Sequence, residues 1–132
     1  MVKVSETIME AFKTQRIIPM ATVNKDGVPN VIYVGMWFWE GDETLCVVNN
    51  YLNKTLVNVK EMGWVSFVCY GKSGSYQIKC KAVNATEGDL YEKGKKVAHD
   101  REKPYPGRST VVCKVEEVYQ GSGGKGAGDK LA

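Results

Sequence analysis

Two runs rich in β-branched and aromatic residues, Ile17 to Val23 and Asn30 to Trp39, flank an Asp26-Gly27 pair. Asp-Gly between apolar runs is the pair that a two-residue hairpin turn takes, because both central positions need positive φ. The start of the chain is therefore expected to form two neighbouring antiparallel strands, with a bend in the second at Gly35. Gly41-Asp42 makes the next turn, and Leu45 to Asn49 reads as a third strand. Further on, Trp64 to Tyr70 is β-branched and aromatic, and Tyr76 to Thr86 alternates with period two. Ser109 to Val118 reads as the last strand. Three short helices punctuate this series: Ser5 to Thr14 with Ser5 as N-cap, Thr55 to Glu61, and Asp89 to Asp100 with Leu90, Val97 and Ala98 as its apolar side. Six strands with hairpin connections and two or three short helices predict a mainly β chain, an antiparallel barrel or sandwich. The helix between strands five and six is expected to cover the barrel opening.

Residues 1–120 read as one domain. Residues 121–132 form a glycine-rich tail, with five glycines between Gly121 and Gly128. That composition argues against a packed element and leaves two readings, a flexible terminus or a strap over a ligand or partner subunit.

The segment Val47 to Val59 carries the chemistry. An apolar strand runs into a polar turn, Asn49 to Asn53, which delivers Lys54-Thr55 to the mouth of a helix. A helix N-terminus presents unpaired N–H groups and partial positive charge, so a lysine ammonium and a threonine hydroxyl placed there suit a phosphate. A lysine at this position opposes the helix dipole, which itself favours an anion nearby. Charge points away from nucleic acid: the net charge is +3 and lysines are interspersed with carboxylates rather than clustered. Cys46, Cys69, Cys80 and Cys113 lack C-x-x-C spacing and each sits in an apolar or alternating run. With His99 the only histidine, they read as buried reduced thiols rather than metal ligands. No apolar run approaches the ~20 residues of a membrane span, and no secretory signal is visible. A cytoplasmic chain is the simplest expectation.

The order of these motifs resembles the FMN-binding split-barrel family, which includes pyridoxamine 5′-phosphate oxidases and small FMN-binding proteins. The residues that carry the likeness are Ala21-Thr22-Val23, the D-G-x-P-N turn (Asp26, Gly27, Pro29, Asn30), the K-T-x-x-N step (Lys54, Thr55, Asn58), the YQIKCKA strand (Tyr76 to Ala82) and the Glu87-Gly88-Asp89 turn. The resemblance implies a six-stranded antiparallel split β-barrel of Greek-key type, forming a homodimer with FMN at the subunit interface. It implies a phosphate held by Asn53, Lys54 and Thr55. It places an isoalloxazine along Tyr33, Val34 and Gly35 and along Val47, Val48, Asn49 and Asn50, with Gln77 reaching the cofactor or facing solvent. Val47-Val48 would offer a flat apolar slot, and the asparagines would bond the ring's carbonyls. The implied activity is oxidoreduction or electron transfer with a small-molecule redox substrate or an electron-transfer partner. A non-catalytic flavin carrier and a deazaflavin-dependent reductase are the alternatives, and His99 on a polar helix argues against haem. No side chain stands out as a catalytic acid or base. The likeness stops before the C-terminal tryptophan and basic residues of true pyridoxamine phosphate oxidases, since no tryptophan follows Trp64. That specific oxidase activity is therefore not expected. Trp37, Trp39 and Trp64 are read as core or interface residues. One face of Met36 to Trp39 is expected to lie exposed in a monomer, which argues for a partner.

Overall fold

The computed structural model describes all residues from Met1 to Ala132. The elements follow in the order α1 (Glu6–Gln15), β1 (Ile18–Val23), β2 (Pro29–Val34), β3 (Trp37–Glu40), β4 (Thr44–Asn49), α2 (Lys54–Met62), β5 (Trp64–Gly71), β6 (Gly74–Ala85), α3 (Asp89–His99) and β7 (Ser109–Gln120). All pairings are antiparallel, and the sheet order is β2-β1-β5-β6-β7-β4-β3. The strand expected from Asn30 to Trp39 breaks at Gly35-Met36, so seven segments replace the six expected. The two pieces lie at opposite edges of one sheet. Because only two residues join them, the edges must come together and the sheet curls into a split barrel. At the seam, the Val48 N–H donates to the Met36 carbonyl at 2.9 Å.

The core follows from the alternation. Ile18 and Met20, Val65 and Phe67, Ile78 and Cys80, and Val115 and Val118 all point inward and are fully buried. Phe12 of α1 closes the same core between Trp37 and Trp39, with edge-to-face contacts to each. In β3 the two tryptophans therefore face in. The opposite face is not bare, contrary to the sequence expectation. Phe38 is half-buried, with the Lys93 Nζ of α3 lying 4.9 Å from its ring centroid. Nearly every residue of β4 is buried because the core covers one side and α3 packs against β4 and β7 on the other.

Helix α3 thus lies on the outside of the β4–β7 pair. It is α2 that contacts β1, β2, β5 and β6 across one end of the barrel, the place the sequence reading gave to α3. The close approach of α3 depends on Gly94. A Cβ there would sit 2.1 Å from Thr110 Oγ1, and that hydroxyl donates to the Leu90 carbonyl at 3.1 Å. Gly94→Ala is expected to cost about 1–3 kcal/mol as an overpacked contact, read as a lowered melting temperature. An unchanged melting temperature would place α3 further from the sheet.

The glycine-rich tail packs along the sheet. β4 ends its pairing with β7 at Lys114, and the tail takes up the β7 edge beyond it. Leu131 N–H donates to the Val118 carbonyl at 2.7 Å, and Gln120 N–H to the Asp129 carbonyl at 2.9 Å. Backbone bonds hold most of this segment, helped by Ser122 Oγ, which accepts from the Ser75 N–H at 2.8 Å, and by Lys130, 3.7 Å from Glu117.

The four cysteines are free and buried. Burial pushes the Cys46 thiol up to about 12 and Cys69 to about 11, and raises Cys80 and Cys113 as well. The folded chain therefore keeps protons that the unfolded chain releases around the ordinary thiol value of 9.0. Stability contributed by these thiols is complete below that value and falls as pH rises past it. Iodoacetamide at mildly alkaline pH should leave the native thiols unmodified and alkylate all four after denaturation. Rapid modification of the native protein would contradict their burial. No helix is long and apolar enough to cross a membrane.

Candidate functional site

The sequence motifs converge at the N-terminus of α2. Thr22, from the A-T-V strand, accepts hydrogen bonds from Asn58 Nδ2 at 2.9 Å and from Asn30 Nδ2 at 3.3 Å. Asn30, from the D-G-x-P-N turn, also donates to Thr55 Oγ1 at 3.1 Å. Thr55 and Asn58 lie three residues apart and so share one face of α2. Both are buried, as is Thr22. The network pins the first turn of α2 to the β1–β2 hairpin, with both asparagine amides donating to threonine hydroxyls.

Lys54 stands on the exposed side of that turn. It forms no ion pair. Asn53 occupies the N-cap position but its side chain caps nothing, and the first turn holds no acidic residue. The first-turn N–H groups of α2 are thus left without a side-chain acceptor beside a free ammonium, the arrangement that suits an anion. A cleft of about 390 Å³ opens here between the hairpin and the helix, bounded by Asn30, Asn53, Lys54 and Asn58, with the charged Lys25, Asp26 and Glu61 at its walls.

The remaining expected residues divide into two groups. Tyr33 is 75% exposed and Val31 beside it 65%, both on the outer face of β2. That face continues over β1, β5 and β6 through Trp64, Tyr70 and Val83, also exposed. Gln77 lies on it, opposite Val68 and Tyr119. Lys81 Nζ lies 5.5 Å from the Trp64 ring centroid. A shallow apolar hollow of about 300 Å³ runs along Ala21, Val23, Trp64 and Ser66 on this face.

The second group is turned inward. Val34, Val47 and Val48 are buried, so no open slot exists at Val47-Val48. Asn49 Nδ2 donates to Ser109 Oγ at 2.8 Å and its Oδ1 accepts from Leu52 N–H at 3.0 Å. Asn50 Nδ2 reaches Met36 Sδ at 3.3 Å, and its Oδ1 accepts from Gly107 N–H at 3.0 Å. Both asparagine side chains are committed to the fold, which leaves main-chain groups as what this turn and Gly35 can present. The residues the sequence reading passed over as contributors are Thr22, Asn30 and Asn58. They were visible only as motif letters, and their role needs the register Thr22↔Asn30 to be seen.

Comparison with known proteins decides the lineage. The pyridoxamine 5′-phosphate oxidase family profile matches residues 4–121. The chain belongs to that family. It is similar to the uncharacterized protein MJ0282 of Methanocaldococcus jannaschii, with 28% identity over 134 residues, covering 99% of this chain and 89% of that protein. Its fold is shared with HupZ of Group A Streptococcus, at a TM-score of 0.80 and 23% identity over 95% of this chain and 100% of that one. An FMN-binding protein from Syntrophomonas wolfei also shares it, at a TM-score of 0.69 and 19% identity over 83% and 80% of the two chains. As a member of the pyridoxamine 5′-phosphate oxidase family, the chain keeps its whole K-T-x-x-N step at one end of the barrel, next to the D-G-x-P-N hairpin.

Proposed function

We propose that this chain is an FMN-binding flavoprotein working in oxidoreduction or electron transfer, with the flavin lodged between two copies of the chain. The observation that carries the reading is the convergence of three separated motifs on the uncapped N-terminus of α2. Thr22, Asn30, Thr55 and Asn58 hold the helix start rigid, and Lys54 with the first-turn amides would receive the FMN phosphate. The residues present fit that group, since a free ammonium and uncapped first-turn amides match a dianion, and Lys25 in the same cleft offsets one of its two carboxylates, Asp26 and Glu61. Bound FMN supplies hydride or single-electron transfer. The protein binds the phosphate, presents backbone at Gly35 and the Asn49-Asn50 turn, and offers an apolar outer face to cover the ring.

A second copy would complete this arrangement. Val31, Tyr33, Trp64, Tyr70 and Val83 expose apolar side chains on one side of the sheet, with Gln77, Lys79 and Lys81 among them, a mixed surface that a second copy would cover. Within such a dimer the outer face of β2 becomes a wall of the flavin cleft, and Gln77 a donor facing it.

Absorption titration with FMN and with riboflavin tests the proposal. Saturable binding with shifted flavin bands is expected for FMN, and riboflavin should bind at least about 100-fold more weakly because it lacks the phosphate. Equal affinity for the two would remove the α2 cradle from the site. Uptake of a deazaflavin instead of FMN would keep the cradle and change the cofactor.

A further inference from the structure

A tyrosine exposed singly is ordinary, but Tyr51 and Tyr105 stand together. Tyr51 lies on the turn between β4 and α2, and Tyr105 on the loop between α3 and β7. They are 69% and 43% exposed, and their ring centroids lie 6.5 Å apart with the planes at 62°. The Arg108 guanidinium sits 5.6 Å from the Tyr51 ring centroid. Arg108 is exposed and pairs with no carboxylate. The nearest carboxylate along the chain, Glu102, lies between Arg101 and Lys103. Asp100 is engaged by Lys96 Nζ at 2.7 Å.

The two segments are fastened to each other and to α3. Arg108 N–H donates to the Asn49 carbonyl at 2.8 Å, and Gly107 N–H to Asn50 Oδ1 at 3.0 Å. Tyr105 N–H donates to the Ala98 carbonyl at 3.1 Å, and His99 Nε2–H to the Pro106 carbonyl at 3.1 Å. Gly107, at φ of 56°, lies so close to α3 that a Cβ there would meet Ala98 Cβ at 3.0 Å and Lys95 Cα at 3.1 Å. Only glycine suits both that backbone and that approach. None of these bonds uses the side chains of Tyr51, Tyr105 or Arg108. The three are thus presented to solvent from a fixed frame.

Tyrosine faces stack on planar rings, and the arginine fork pairs with phosphate. Two such faces beside an unpaired guanidinium match a ligand that carries an extended planar base and an anionic group. We propose that Tyr51, Tyr105 and Arg108 form a nucleotide site, with a purine base against the tyrosines and its phosphate on Arg108. The site is separate from the α2 cradle, because its cation is Arg108 and not Lys54. The turn that carries Tyr51 runs on to Asn53 and Lys54, so a nucleotide here lies beside a flavin held at α2, as part of that flavin's electron donor. This role rests on the flavin reading, whereas the nucleotide site itself does not.

Calorimetric titration of the full chain with AMP, adenosine and inorganic phosphate tests the proposal. It is run once with saturating FMN and once on Lys54→Ala without flavin, so that the α2 mouth is filled in the first case and lacks its ammonium in the second. AMP should bind in both, with adenosine and phosphate each at least about tenfold weaker. Arg108→Gln should weaken AMP binding about tenfold, the value of one charge-assisted hydrogen bond. Tyr105→Ala should weaken it about 5- to 100-fold, the value of one stacked base. Both variants should keep the parent's FMN affinity and melting temperature. No AMP binding in either form would overturn the proposal, as would phosphate or adenosine binding as tightly as AMP, or affinity unchanged in either variant. AMP binding that saturating FMN abolishes would overturn it too, by assigning the tyrosines to the flavin's own site. If no flavin binds at all, the flavin reading fails, while AMP binding to Lys54→Ala still decides the nucleotide site.

Discussion

Trp37→Ala should lower stability by about 3–5 kcal/mol, the usual cost of emptying a buried tryptophan site. Trp37 is 1% exposed. Its ring meets Phe12 and Trp39 edge to face, with centroids 6.5 and 6.2 Å away. It also forms the closure of the barrel. Trp37 lies just past the β2–β3 bend, and its reciprocal bonds with Arg16 tie the start of β1 to the first residue of β3. Truncation removes the packing and the closure together. Against a total of about 5–15 kcal/mol for a domain, the expected fall in melting temperature is roughly 10–20 °C. Thermal unfolding followed by circular dichroism measures it. Trp37→Phe keeps most of the volume and should lose markedly less. A fall of only a few degrees in Trp37→Ala would mean that the barrel closes without this side chain.

Lys54→Ala should weaken FMN binding by about 10- to 100-fold, because one charge-assisted partner of the phosphate is lost. The substitution is clean. Lys54 is exposed and has no partner within the chain, so the fold does not depend on it. The helix dipole adds a second, opposite expectation. A cation at a helix N-terminus is unfavourable by about 0.3–1 kcal/mol, so the flavin-free variant should be slightly more stable than the parent. Weaker FMN binding together with a stabilised flavin-free protein is a pair of signs that general damage would not produce. Riboflavin affinity should be unaffected. FMN affinity equal to the parent's would exclude Lys54 from the site.

Much of this was legible in the sequence because the signals were local. Asp26-Gly27 announced a hairpin, although the loop runs from Asn24 to Val28 with only Gly27 at positive φ, in place of the two-residue turn expected, and the alternation from Tyr76 announced β6. The K-T-x-x-N step announced a helix mouth with a free cation. The misreadings arose where tertiary partners decide. Val47 and Val48 look like a slot because a strand buried on both faces and a strand beside an apolar ligand have the same composition. Only the placement of α3 over β4 distinguishes them. Asn49 and Asn50 look available, but a polar turn between two buried strands needs its side chains to satisfy its own backbone. The need for glycine at position 94 shows only once Thr110 is placed against it. The Met36 to Trp39 run was expected to leave one face bare, yet α3 brings Lys93 over Phe38. The exposed apolar side chains lie instead on the outer face around Tyr33.

The central claim is that the mouth of α2 receives the phosphate of a flavin. A crystal structure of the protein grown with FMN tests it most directly. The account predicts a phosphate within hydrogen-bond distance of the first-turn amides of α2 and of Lys54 Nζ, with the ring against the outer face of β2 and a second copy. A phosphate held elsewhere, with the α2 mouth occupied only by solvent, would contradict it.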